Sequence, residues 1–240
     1  MINLLTQQII KEPNANAFVK ARLEVVDWIG YALAGTATIQ AVPFFNLQKS
    51  LPEGHSLNLL GKRKLNVFDS AFINASVGNI LELDSVHRTS IIHPGDTVIP
   101  AAIATSSFIN IDPHNFLRAI IIGYETAIRM GICLGQDHYE TFYSSATCGV
   151  FGAAAASSFI LNFKNSPIKL AENLNYSIQL ATMTSSGVWQ CRKGDGEAKQ
   201  YALANAARSG VTSAFLSQNG AKAPQDMIEG ELGFLKGYKK

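Results

Sequence analysis

Residues 147–160 read Thr, Cys, Gly, Val, Phe, Gly, four alanines, two serines, Phe and Ile. Side chains this small let neighbouring backbones come close. A segment with no polar face is stable as a helix only when enclosed on all sides. It is shorter than the roughly 20 residues a membrane span needs. The stretch is therefore expected to be the central helix of a packed bundle.

The flanking sequence supplies the rest of such a bundle. Asn14 or Asn16 can cap a helix through Phe18, Val19, Leu23, Val26, Trp28, Ile29 and Leu33, with Gly35 as its stop. Residues 36–65, containing Pro43, Pro52 and Gly54, read as loop with at most one short helix. Asn66 opens a helix through Phe68, Ala71, Phe72, Ala75 and Ile80 that delivers Glu82 and Asp84 at its end. Helix resumes from Val98 to Phe108, with Pro100 in its first turn. Asp112 and Pro113 form an N-cap and first helical position for a helix to about Leu134, with Glu125 and Arg129 paired along it. Ser166 and Pro167 start another, ending near Gly187, and a last one runs from Lys199 to Asn219 before Gly220. No segment alternates with a period of two. The expected fold is all-α, a single helical domain of roughly seven to nine helices over residues 1–240.

Hydrophobic residues make up 47% of the chain and charged residues 16%, against about 25% charge in ordinary soluble domains. Either the chain is unusually well buried or a partner covers part of it. A net charge of +2 gives no electrostatic footprint for nucleic acid, and the basic run from Gly61 to Lys64 reads as a solvated turn. Cys133, Cys148 and Cys191 are odd in number and widely spaced, which indicates neither a disulfide framework nor a zinc knuckle. With no secretory leader pattern and no sufficiently long apolar run, the expectation is a reduced, cytoplasmic protein without a membrane partner.

One polar stretch interrupts this apolar sequence. Residues 82–98 bring Glu82, Asp84, His87, Arg88 and His93 together between two core-forming segments, with Pro94 and Gly95 marking a loop. Ionisable groups are costly to bury unless paired or used, so the cluster is a candidate site. Carboxylates at a helix C-terminus also oppose the helix dipole. The spacing of Glu82, Asp84, His87 and His93 matches no fixed metal motif, and hydrogen-bonded pairs are expected there instead of a metal. No glycine-rich turn follows a strand, so no nucleotide cofactor is indicated.

Val25–Gly35, Leu81–Asp84, His93–Gly95, Gly123–Glu125, Thr147–Ala156 and Ala198–Lys199 occur in an order and spacing that resembles the MmgE/PrpD family, from about residue 17 to the end. That family includes 2-methylcitrate dehydratase of propionate metabolism, cis-aconitate decarboxylase and iminodisuccinate epimerase. The resemblance implies a cofactor-free, cytoplasmic homodimer acting on a small polycarboxylate. It also implies a smaller α/β lid domain and further C-terminal helices, which residues 1–240 do not contain. The expectation is a helical domain with its lid absent or separately encoded, and apolar surface left where the lid side would pack.

The residue roles carried over are these. Glu82 falls on the family's catalytic aspartate, Asp84 on its second acidic position, and His93 on its histidine before Pro-Gly. Lys199 matches a lysine that binds a substrate carboxylate; His87 and Arg88 resemble the Val-His-Arg of one branch and either hold a carboxylate or face solvent. Tyr143 occupies the catalytic position where the family has histidine, and a phenol with a reference pKa near 10 is poorly suited to cycling protons at neutral pH. Ala202 and Ser85 replace a second histidine and an aspartate. The function expected is elimination of water from a citrate-type acid, with decarboxylation or epimerisation as alternatives inside the family. The rival expectation is a truncated or split product that serves as an oligomerising helical domain.

Overall fold

Local capping signals start four of the longer helices. The computed structural model describes residues 2–59, 61 and 63–239. Its elements are α1 (Ile2–Ile9), α2 (Ala15–Thr36), α3 (Val42–Ser50), β1 (Glu53–Ser56), α4 (Val67–Gly78), α5 (Gly95–Phe108), α6 (Pro113–Leu134), α7 (Gln136–Tyr139), α8 (Ser144–Asn162), α9 (Pro167–Ala181), α10 (Ala198–Gln218) and α11 (Phe234–Tyr238). Asn14, Asn66, Asp112 and Ser166 each accept a backbone N–H three residues on, at 3.0, 2.9, 2.9 and 3.3 Å. Such caps are worth about 1 kcal/mol each. Among the described residues there is one short strand and no sheet, so the fold is all-α.

α8 is the axis of the bundle. All 19 of its residues are buried, with α5, α6, α9 and α10 packed around it. Gly152 meets Gly123 of α6 so closely that a Cβ there would lie 2.7 Å from the Gly123 carbonyl oxygen. The helix runs longer than the small-residue stretch and passes for a membrane span by length and composition, yet the rest of the chain encloses it completely.

Several sequence expectations are corrected by tertiary contacts. α2 ends at Thr36, one residue past the expected stop, and Gly35 has a packing role as well: a Cβ there would sit 2.6 Å from the Val77 carbonyl oxygen of α4. The inward face of α2 is Ala21, Trp28, Tyr31, Ala32 and Gly35, whereas Val19, Leu23, Val26 and Leu33 face outward and are exposed. α4 ends at Gly78, so Glu82 and Asp84 belong to the following loop and not to the helix end. α5 begins at Gly95, which puts Pro100 in its second turn. α9 stops at Ala181, and 3₁₀ turns cover Thr182–Thr184 and Trp189–Arg192. Residues 36–65 hold α3 and β1, and α1 has no counterpart in the sequence expectation. Of the basic run, Lys62 lies outside the described residues; Arg63 is not simply solvated, because it donates to the Gln48 and Lys49 carbonyls and pairs with Glu53 at 3.2 Å. Glu125 and Arg129 form the expected helix-surface pair at 2.8 Å, worth about 0.3–0.5 kcal/mol.

One buried imidazole ties the C-terminal segment to the core. His138 Nδ1 donates to the Tyr238 carbonyl at 3.1 Å, and Nε2 lies 2.7 Å from the Thr147 hydroxyl. Burial holds its pKa below the ordinary histidine value, with the Tyr238 bond acting in the opposite direction. The folded ring is thus neutral where the unfolded ring takes a proton, below about pH 6.5. The unfolded state binds more protons there, so stability is lost as pH falls. Urea midpoints should drop on acidification from about pH 7 through 6, and His138→Gln should remove part of that drop. An identical drop in the variant would contradict the assignment.

Candidate active site

The loop between α4 and α5, residues 79–94, is shaped by short-range bonds. His87 N–H donates to the Ile92 carbonyl at 2.9 Å, and His93 N–H donates to Ser145 Oγ of α8 at 3.0 Å. Two side-chain-bearing residues sit at positive φ, Glu82 at 51° and Ile91 at 50°. A β-branched residue there is a genuine outlier; such strain costs of order 1–3 kcal/mol and clusters at functional sites.

Both strained residues line a cavity of about 370 Å³, which also takes in His93, Tyr139, Tyr143, Ser145, Trp189, Cys191, Arg192, Lys199 and Gln200. The loop therefore brings Glu82 and His93 to the same concavity as Lys199, which is 117 residues further on in sequence than Glu82.

His93 Nδ1 lies 2.5 Å from Asp84 Oδ2, whose side chain is 1% exposed. The contact is close but is not a linear hydrogen bond, since neither atom meets hydrogen-bond geometry. Asp84 Oδ1 accepts from Asn79 Nδ2 at 2.8 Å. Burial pushes the Asp84 pKa up, but its contacts with His93 and then Asp96 outweigh it, and the carboxyl stays below its ordinary value. An anion on Nδ1 favours the tautomer protonated there, which leaves Nε2 free to exchange a proton.

Lys199 lies in the first turn of α10, where the helix dipole is unfavourable to a cation. Its ammonium pairs with Glu82 Oε1 at 2.7 Å and stands 5.7 Å over the Tyr143 ring. The Lys199 side chain is 14% exposed and that of Glu82 62%, so the carboxylate is the solvent-facing partner of the pair. The N-terminus of α10 has no side-chain cap, which leaves its first backbone N–H groups available to an anion.

Tyr143 precedes α8 and is fixed by the pairing of 141–143 with 187–189, in which Tyr143 N–H donates to Gly187 O and Trp189 N–H to Thr141 O. Its ring stacks on Trp189 with centroids 4.7 Å apart and 4° between planes. Burial above all drives its pKa well above that of an ordinary phenol. Tyr143 thus keeps its proton at neutral pH; its hydroxyl meets no hydrogen-bond partner among the described residues and is free to donate to a ligand, not to act as a base.

The remaining sequence candidates lie elsewhere. His87 bonds Ser90 Oγ at 2.8 Å and lines a separate cavity of about 380 Å³ with Lys20, Glu24 and Tyr124. Arg88 is exposed and borders neither cavity. The structure thus does not bring His87 and Arg88 together with Lys199. It adds residues that no sequence pattern singles out: Arg192, whose guanidinium stands 5.5 Å from the Trp189 ring, Ser145, Gln200 and the buried Asp96. The only sequence hint of Arg192 is indirect: the stretch Arg192, Lys193, Gly194, Asp195, Gly196 ahead of a helix with no capping side chain. Among the described residues no group of three or more His, Cys, Asp or Glu side chains is arranged to hold a metal.

Comparison with known proteins agrees with this architecture. The family model for the MmgE/PrpD N-terminal domain matches residues 3–240. The chain is 26% identical over 178 residues to a cis-aconitate decarboxylase-like protein, oryM, of Aspergillus oryzae, a match covering 70% of this chain and 36% of that protein. It is 22% identical over 227 residues to human cis-aconitate decarboxylase, covering 90% of this chain and 44% of the relative. The chain thus spans less than half the length of these curated relatives.

Proposed function

The chain belongs to the MmgE/PrpD family through its N-terminal domain, and from that premise we propose that it is a lyase acting on a small polycarboxylate. The observation that carries this reading is the convergence of a carboxylate-backed imidazole, His93, with the cations of Lys199 and Arg192 on one cavity of about 370 Å³. Removing a group beside a carboxylate needs a base for the carbon-bound proton, an acid for the leaving group, and cations for the substrate's charges.

In this scheme a substrate carboxylate replaces Glu82 on Lys199 and meets the uncapped N-terminus of α10. His93 Nε2 takes the proton from the carbon next to a carboxylate. In a dehydration the leaving hydroxyl departs as water after receiving a proton from Tyr143, which carries one at neutral pH, or from Glu82 in its protonated form. The first-choice substrate is 2-methylcitrate or a related citrate. A second reading, decarboxylation of cis-aconitate, is favoured by the names of both curated relatives; there a carboxylate leaves as carbon dioxide and the carbanion is protonated from His93. The assembly in this proposal is a cytoplasmic homodimer, with a lid over the cavity supplied by further sequence or by a separate chain. The exposed Val19, Leu23, Val26 and Leu33 fit a surface that such cover would bury.

The test offers 2-methylcitrate, citrate, cis-aconitate and iminodisuccinate to the purified chain, alone and with any lid-like product of the neighbouring reading frame. Turnover of one acid in either condition is the expected result. No turnover in both would remove the enzyme and leave the oligomerising helical domain as the reading.

A further inference from the structure

Behind the His93–Asp84 pair lies a second carboxyl group. Asp96, in the first turn of α5, is completely buried. Its Oδ1 accepts from Trp28 Nε1 at 3.2 Å, while Oδ2 meets no donor. The site is tightly closed: a Cβ on Gly78 would stand 3.0 Å from Asp96 Oδ1 and 2.9 Å from the Trp28 nitrogen. No cation pairs with Asp96 among the described residues, and Asp84 is the carboxylate beside it.

We infer that Asp96 is a positioning residue: a carboxylic acid that keeps its proton at neutral pH and donates it in a hydrogen bond to Asp84, holding that carboxylate against His93 Nδ1. Two carboxylates side by side in a closed apolar site cannot both ionise. His93 decides which one does, because it touches Asp84. An oxygen without a donor is a defect for a carboxylate but suits a hydroxyl whose proton points at a neighbouring anion. The helix dipole favours an anion in the first turn, yet burial, the Asp84 charge and the bond to Asp84 prevail and push the Asp96 pKa well up; the Trp28 and Asn79 bonds only moderate the rise.

The other groups around the pair do not supply charge. Tyr31 of α2, Tyr124 of α6 and Tyr143 of α8 all have raised pKa values and stay neutral. Asp27 acts on Tyr31, and Glu24 is bonded to the Tyr124 hydroxyl at 3.3 Å. The inference rests on His93 being the proton-transfer group, but its first two readouts require no turnover.

Infrared spectra of the isotope-labelled full chain at neutral pH should show the carbonyl stretch of a protonated carboxyl that vanishes in Asp96→Asn. The stability difference between wild type and Asp96→Asn should then move against the wild type as pH rises above the unfolded carboxyl value of about 3.9. The folded state binds the extra proton there, so its unfolding constant grows about tenfold per pH unit relative to the variant. On the substrate that is turned over, Asp96→Leu should lose about ten- to a hundredfold in turnover, by analogy with partners that orient metal-bound imidazoles. Asp96→Asn keeps a donor and should lose less. Absence of the protonated-carboxyl band, or a stability difference independent of pH, would overturn the inference whatever the activity shows.

Discussion

Replacing His93 by asparagine should lower turnover by about 10²–10⁴-fold, the contribution of a positioned general base, while leaving the melting temperature near that of the wild type. The choice of asparagine matters. Asp84 is nearly inaccessible and pairs with His93 Nδ1 at 2.5 Å, so a substitution without a donor would strand a buried carboxylate, at about 3–5 kcal/mol. The asparagine amide places an N–H close to where Nδ1 stands and removes only Nε2. Loss of activity with retained stability would locate the proton transfer on the cavity side of the ring. Full activity in His93→Asn would exclude it as the base.

Substituting Gly152 by valine should cost about 3 kcal/mol, a fall of roughly 6–12 °C in a chain of this length. The Cβ would lie 2.7 Å from a carbonyl oxygen of α6, 2.8 Å from Val98 and 2.9 Å from Ala127. A backbone oxygen cannot rotate away as a flexible side chain can, so α6 and α8 must separate along a contact that runs through the core. Thermal or urea unfolding measures the loss. A melting temperature within a degree or two of wild type would mean that the central helix is not gripped as closely as its composition implies.

The helical class and the central place of α8 were legible because they rest on local chemistry. The Asn14, Asn66, Asp112 and Ser166 caps act within three residues, and the small-residue run of α8 leaves no alternative to enclosure. Helix ends set by tertiary contact were not legible. Gly35 is used for its close approach to Val77 and α2 ends one residue beyond it, while α9 ends at Ala181 without a glycine stop. The hydrophobic pattern of α2 contains two faces, and the sequence does not say which points inward.

The site divides in the same way. Glu82, Asp84 and His93 share one loop, so their clustering is visible in the chain. Their meeting with Lys199 was expected from the family resemblance, since no local pattern joins residues so far apart. Asp96 escaped because an acidic residue in a first helical turn looks like an ordinary dipole partner; only its enclosure by Trp28, Gly78 and Asp84 marks it as different. His87 sits in the same loop as His93, yet it lines a different cavity.

The account stands on a polycarboxylate occupying the cavity of Lys199 and His93, and a titration with cis-aconitate or citrate, followed by the structure of the complex, tests this most directly. The expected result is a substrate carboxylate on the Lys199 ammonium in place of Glu82, near His93, with affinity lowered roughly ten- to a hundredfold in Lys199→Met. Binding indifferent to Lys199, or a ligand seated instead in the cavity beside Lys20 and His87, would contradict it.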